Sequence, residues 1–339
     1  MNSVTIFILA LLITAVATPI GAALGRRLGL VDTPSGRRQH PGVIPRVGGM
    51  GLFLGFIISA AAIRFVAPLQ NPDDALRIGG VIAGMAFVFA FGLLDDWREL
   101  SAGRQLIIQI AVALIAIGTT VFIERFTNPF NNELVVLPIW LVIPVTVFWI
   151  VGMMNTINWL DGVDGLATGV AAIAALLFGI HMRSLGQNDI ALYAFALGGA
   201  CLGFLPFNFS PARVFLGSAG AMVLGYSLAT LSILAPARVA TALLVMALPI
   251  ADTAWQIFDR YRRRRSIFKG DRGHLHFRLL ELGWSPRLIV SFYWGFCTIF
   301  GTLSLLLASR MFKLIALGLL ATVVLAMLAL LSSRQPVEE

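Results

Sequence analysis

The sequence predicts an all-α integral membrane protein that crosses the bilayer about eleven times, and three observations carry that expectation. Hydrophobic residues fill 58% of the 339 positions and charged residues only 12%, against about 25% charged in a soluble domain. The mean hydropathy is +0.87. The apolar residues are also gathered into runs long enough, or nearly so, to cross a hydrocarbon core of about 30 Å. The shortage of charge excludes a water-solvated surface. The formal net charge of +8 is no sign of nucleic acid, because excess arginine in a membrane protein marks its cytoplasmic loops. Cys201 and Cys297 both lie in apolar runs, which argues against a structural disulfide.

The runs cover approximately residues 4–24, 47–66, 79–94, 105–123, 137–154, 163–181, 190–206, 214–234, 239–257, 288–309 and 311–331. The first lacks the positive segment of a cleavable signal and is followed by Arg26 and Arg27, so it reads as a retained helix with its N-terminus outside. The third and seventh are short, which suggests tilt or an interruption near a site. With the N-terminus outside, the loops near 25–46, 95–104, 155–162, 207–213 and 258–287 share one side. Together with the C-terminal tail they hold 18 of the 25 Arg and Lys residues, which places that side in the cytoplasm. Residues 1–339 are expected to form a single transmembrane domain, with 258–287 as its cytoplasmic loop. Every unusual polar motif falls on that same side.

The first loop, VDTPSGRRQHPGVIPRVGG, is too rich in Pro and Gly for a helix. Its Arg37, Arg38, His40 and Arg46 suit a lipid phosphate, or equally an ordinary cytoplasmic loop, and Gly48 and Gly49 suit helix packing. In GLLDDWREL, Asp95 and Asp96 sit at the cytoplasmic end of the third span. On a helix Asp95 shares a face with Glu99 while Asp96 points elsewhere, so the two should hold different jobs. One could take a proton while the other meets a cation.

NTINWLDGVDGLATG interrupts the apolar sequence most sharply. Asn158, Asp161 and Asp164 recur at steps of three, which could align them on a helix. Gly162 and Gly165 instead permit a broken helix whose amides approach a ligand. Two carboxylates with no cation in the loop repel each other unless something positive arrives. Mg²⁺ commonly uses one or two carboxylates plus substrate phosphates. The plainer alternative is a polar re-entrant loop with solvated side chains. FNFSPARVFLGSAGAMVLG offers Asn208, Arg213 and Phe215, but its small residues are also ordinary packing residues.

The last motif, DRGHLHF, carries His274 and His276 beyond an arginine run, Arg262 to Arg265, suited to anionic headgroups. The two rings converge only if the backbone there is extended or turned. Phosphate contacts suit them better than a metal, since no third soft ligand is near. Asp252, in PIAD, is an expensive intramembrane carboxylate that fits a supporting position behind the site.

In order, DTPSGRRQHPGVIPRVGG, GLLDDWREL, NTINWLDGVDGLATG, NFSPARVFLG and DRGHLHFRL resemble the motifs of the polyprenyl-phosphate N-acetylhexosamine-1-phosphate transferases, the WecA/TagO/MraY family within glycosyltransferase family 4. The resemblance spans residues 32–282. It implies transfer of a sugar-1-phosphate, N-acetylglucosamine phosphate above all, from a UDP-sugar to undecaprenyl phosphate, with release of UMP. It implies Mg²⁺ as cofactor, with Mn²⁺ as the alternative ion. It also implies a multi-pass enzyme of the bacterial inner membrane with a cytoplasmic active site, feeding cell-envelope polysaccharide, and compatible with a homodimer.

By that similarity Asp95, Asp96, Asn158, His274 and His276 are catalytic. Arg46, Asp161, Gly162, Asp164, Asn208, Phe215 and Arg272 contact substrate, and Asp96, Asp161 and Asp164 bear on the metal. Two positions depart from the pattern. Ser218 stands where the family usually has an aspartate, and Phe277 where a further histidine is common. These departures keep a second expectation open: a catalytically impaired relative that serves as a lipid or nucleotide-sugar binding scaffold, or as a transporter.

Overall fold

A computed structural model describes residues 2–33, 42–66, 71–234, 238–266, 272–307 and 309–333. Arg37, Arg38, His40 and Asp271 lie outside the described residues. The described chain is helical almost throughout: α1 Ser3–Leu28, α2 Gly48–Val66, α3 Pro72–Arg98, α4 Ala102–Gly118, α5 Ile139–Leu160, α6 Leu166–Ser184, α7 Asn188–Asn208, α8 Gly217–Ile233, α9 Arg238–Val245, α10 Ala247–Arg262, α11 Leu275–Glu281, α12 Pro286–Leu306 and α13 Arg310–Ser333. Two short antiparallel hairpins complete it. β1 Val31–Asp32 pairs with β2 Ile44–Pro45, and β3 Arg125–Thr127 with β4 Leu134–Val136.

Local chemistry sets several boundaries. The Asn2 side chain accepts from the Thr5 N–H to open α1, and Gly29 closes it in the left-handed region at φ 72°. α3 opens on Asn71 as cap with Pro72 in the first turn, where a missing N–H costs nothing. Ser285 and Pro286 open α12 in the same way.

Each of the eleven apolar runs is helical, but the lengths differ from the sequence expectation. α3 and α7, expected to be short, have 27 and 21 residues. The shorter apolar helices are α4 and α8, at 17 residues each, which rise about 26 Å. The interruption falls in the ninth run, where α9 and α10 meet at 80°. Pro249 lies in the first turn of α10, a position that tolerates its missing N–H but favours a new helix start over a continuous one. Among the described residues, eight helices are long and apolar enough to cross a membrane, nine with this bent pair counted as one span. Residues 258–287 are not all loop either. They include the last turn of α10 and the whole of α11.

α8 is buried on all sides from Ala219 through Ser232, as expected of a helix that is apolar all round; Ser218 is half-buried. α2, α3, α5, α6 and α9 pack on α8, while α1 and α7 pack on each other and on α2. Close approach depends on small residues. A Cβ on Gly199 or Gly203 of α7 would stand 2.2 or 2.3 Å from the Phe7 or Leu11 carbonyl oxygen of α1. Helix ends that are far apart in sequence therefore meet at one end of the bundle, and the polar motifs sit there.

Candidate active site

Asp96 is the best-anchored acid. Ser218 and Ala219, in the first turn of α8, donate their backbone N–H groups to its Oδ1 and Oδ2 at 2.8 and 3.0 Å. The positive end of a helix favours a carboxylate there. Gly217 makes the approach feasible. It has φ +74°, and a Cβ would stand 2.7 Å from Asp96 Oδ2. An Arg46 guanidinium nitrogen lies 3.3 Å from Asp96 Oδ1. Arg46 is delivered by strand-like pairing between two loops. The Phe215 N–H donates to the Pro45 carbonyl, and Gly48 and Gly49 donate to the carbonyls of Phe215 and Leu216, each at 2.9 Å. Gly48 and Gly49 thus serve close packing as well, because a Cβ on Gly49 would stand 2.4 Å from Gly220 N.

Asp95 faces a different neighbour. Its Oδ1 accepts from the Leu100 N–H and from Gln105 Nε2, both at 2.9 Å. Glu99 ends α3 at φ 47° with its N–H on the Asp95 carbonyl. One helical turn along α4, Gln109 exchanges amide hydrogen bonds with Asn155 of α5, at 2.7 and 3.3 Å. Gln105 and Gln109 therefore act as a rail between the Asp95 motif and the Asn155 motif. The sequence reading missed both. Their signal was present, since two carboxamides at i, i+4 inside an apolar span are costly unless paired.

The third motif takes the broken-helix form. Asn158 lies on the last turn of α5, while Asp161, Gly162 and Asp164 lie in the turn before α6. Asp164 Oδ2 accepts from the Ala212 N–H at 2.9 Å, which ties this turn to the loop after α7. Asp161 and Asn158 receive no hydrogen bond or ion pair from the described residues. Burial pushes the Asp161 carboxyl well above the usual aspartate range. The Arg46 charge opposes this, and repulsion from Asp164 and Asp96 adds to it.

Asn208 is turned inward. Its Oδ1 accepts from the Thr168 hydroxyl at 2.8 Å, and its amide donates to the Val214 carbonyl at 3.2 Å. In this structure it holds the 207–214 loop to α6, the loop that carries Phe215 into pairing with Pro45. Phe215 itself is half-buried.

His274 has extended backbone (φ −63°, ψ 149°) ahead of α11, so the His274 and His276 rings do converge. They lie 5.6 Å apart and within 9° of parallel. His274 Nδ1 is 2.9 Å from Asp252 Oδ2. His276 is fully buried, and neither ring nitrogen has a hydrogen-bond partner among the described residues. Burial pushes its pKa down to about 3, opposed by Asp252 and aided by His274, so the ring is neutral. Its Nε2 lies 2.4 Å from where a Cβ on Gly162 would stand, and Phe277 Cζ 2.7 Å away. Glycine at 162 is thus what lets α11 close over the Asp161 turn. Phe277 fills that contact with an apolar ring, and exposed Arg272 stands 5.5 Å over it.

Among the described residues, no three His, Cys, Asp or Glu side chains form a ready metal cage. A hard divalent ion does not need one, because Mg²⁺ commonly takes one or two carboxylates and completes its shell with water and phosphate. Asp161, with no hydrogen-bond partner among the described residues and repelled by Asp164 and Asp96, fits that demand. Phosphosugar transferases of this kind generally need a divalent metal.

The sequence profile described as glycosyl transferase family 4 matches residues 78–236. A probable undecaprenyl-phosphate N-acetylglucosaminyl 1-phosphate transferase of Bacillus subtilis is 33% identical over 293 residues, 85% of this chain and 80% of that one. A decaprenyl-phosphate N-acetylglucosaminephosphotransferase of Mycobacterium tuberculosis is 33% identical over 325 residues, 87% and 80% of the two chains. A phospho-N-acetylmuramoyl-pentapeptide-transferase of Staphylococcus aureus is 29% identical over 319 residues, 88% and 97%. With its acidic turns, histidine pair and arginine gathered at one end of a multi-pass helical bundle, the chain belongs to glycosyl transferase family 4, among the enzymes that transfer a sugar phosphate to a prenyl phosphate.

Proposed function

We propose that this protein transfers N-acetylglucosamine 1-phosphate from its UDP-sugar to undecaprenyl phosphate at the cytoplasmic face of the bacterial inner membrane, as a first membrane step of envelope glycan synthesis. A phosphate oxygen of the lipid attacks the phosphorus next to the sugar, the bond to the UMP oxygen breaks, and UMP leaves. One phosphoanhydride replaces another, so catalysis needs positioning and charge neutralisation more than a strong nucleophile. The observation that carries this reading is the pair Asn158 and Asp161. Neither has a hydrogen-bond partner among the described residues, and Asp161 feels the charges of Arg46, Asp164 and Asp96.

Asp161, with Asp96 and Asp164 nearby, would hold Mg²⁺, which supplies charge neutralisation for phosphate oxygens. Arg46, Asn158 and Arg272 would orient the diphosphate, and Asp95, whose Oδ2 has no described partner, would meet the attacking lipid phosphate. Phe215 offers an apolar face for the nucleotide base.

Purified protein given undecaprenyl phosphate and a panel of UDP-sugars should release UMP with UDP-N-acetylglucosamine and Mg²⁺. No release with any sugar, across Mg²⁺ and Mn²⁺ concentrations, would overturn the assignment. Ser218 in place of an acidic residue favours one second reading, a binding scaffold. Saturable UDP-sugar binding without turnover would establish it.

A further inference from the structure

The reaction as derived gives Asp252 nothing to do. It lies on α10 beyond the break, with only 3% of its surface exposed. An unsupported carboxylate at bilayer depth costs about 3 kcal/mol or more, so its partners are informative. Oδ1 accepts from the Leu275 N–H at 2.9 Å, at the first residue of α11. Oδ2 meets His274 Nδ1 at 2.9 Å. The first bond fixes the plane of the carboxylate and the start of α11, and the second then fixes the ring. An ionised carboxylate can only accept, so Nδ1 must carry hydrogen and Nε2 is the nitrogen left to face elsewhere. The ring has little room to turn. Trp159 lies 5.6 Å from it on one side and His276 is stacked 5.6 Å away. Arg260 packs over Trp159 at 5.5 Å.

Resting on the transferase reading above, we propose that Asp252 is the positioning residue of His274: it holds the imidazole with Nδ1 protonated and presents Nε2 to the reacting diphosphate. His276 differs in lacking any such carboxylate contact. The two histidines thus divide into one oriented ring and one neutral, enclosed ring.

Asp252→Asn keeps the shape but replaces one acceptor by a donor. If the carboxamide oxygen stays on the Leu275 N–H, the NH₂ group faces Nδ1 and forces the opposite tautomer. The chain has four histidines, so protein labelled with ¹⁵N-histidine resolves the ring nitrogens, with His274 assigned from His274→Ala. Nδ1 should be protonated in the wild type, and an unprotonated Nδ1 there would overturn the proposal without any variant. Asp252→Asn should lose that proton and about 10²-fold or more in kcat, with KM for the UDP-sugar changed less than about threefold. Asp252→Glu, still an acceptor, should recover about tenfold over the asparagine variant. On a His274→Ala background, Asp252→Asn should cost less than about twofold. A further full loss there would show that Asp252 acts elsewhere and sink the idea. Wild-type turnover in His274→Ala would instead remove His274 from the site, and absent UMP release by the wild type would remove the transferase reading itself.

Discussion

The two acidic motifs of the site are built in opposite ways. Asp95 and Asp96 stand on the last turns of a continuous helix, with both oxygens of Asp96 and one oxygen of Asp95 engaged. Two α8 backbone amides and Arg46 hold Asp96, and Leu100 and Gln105 hold Asp95. Asp161 and Asp164 stand in a turn between two helices. There Asp164 is tied to Ala212, and Asp161 has no protein partner among the described residues. The difference separates acids anchored by the fold from one left open to a ligand. A carboxylate saturated by main-chain donors already stabilises the fold, whereas a carboxylate left crowded and unpaired is a standing demand for a cation or a donor on a ligand.

That contrast breaks most visibly at Asp161. Asp161→Asn should lower UMP release about 10³-fold, about 4 kcal/mol in the transition state, without lowering the melting temperature of the metal-free protein. Its raised pKa adds a signed pH effect. Ionising a group whose folded pKa lies above its unfolded value costs stability, so the metal-free protein should weaken as pH rises above the usual aspartate range. Mg²⁺ relieves that cost, so its stabilising shift in melting temperature should be larger at about pH 8 than at about pH 5. The pH dependence of the shift should be smaller in Asp161→Asn than in the wild type.

Asp96 should behave in the reverse manner, as a loss of fold. Asp96→Ala strands two α8 N–H groups and the Arg46 charge, and should lower unfolding free energy by about 3 kcal/mol. A denaturation midpoint equal to wild type would show that α8 does not depend on this anchor. The smallest effect belongs to the rail. Gln105→Leu removes one hydrogen bond to Asp95 and should cost about 1 kcal/mol of stability and about threefold in turnover. No change in either would mean that Leu100 alone holds Asp95.

Hydropathy made the helices legible, because each run must bury its backbone polar groups internally whether or not its tertiary partners are known. The bend at Met246 was not legible in that signal, since the ninth run is apolar on both sides of it. Pro249 was the readable hint. Within the site, helix geometry correctly separated Asp95 from Asp96, because adjacent helical residues point apart. What Asp96 points at could not be read, since Ser218 lies 122 residues away. Asn208 shows the limit of motif reasoning. Its motif does not reveal that its carboxamide accepts from Thr168 and donates to the Val214 carbonyl, and so also ties the 207–214 loop to α6.

The Ser218 contact to Asp96 has a consequence for how such a site can diverge. The donor is the peptide N–H, which every residue but proline supplies, so the anchor is indifferent to the side chain attached at 218. Serine can stand there without loosening the joint between α3 and α8. Position 218 is therefore an exchangeable fitting on a fixed mount. Its side chain can change while the mount itself stays unaltered.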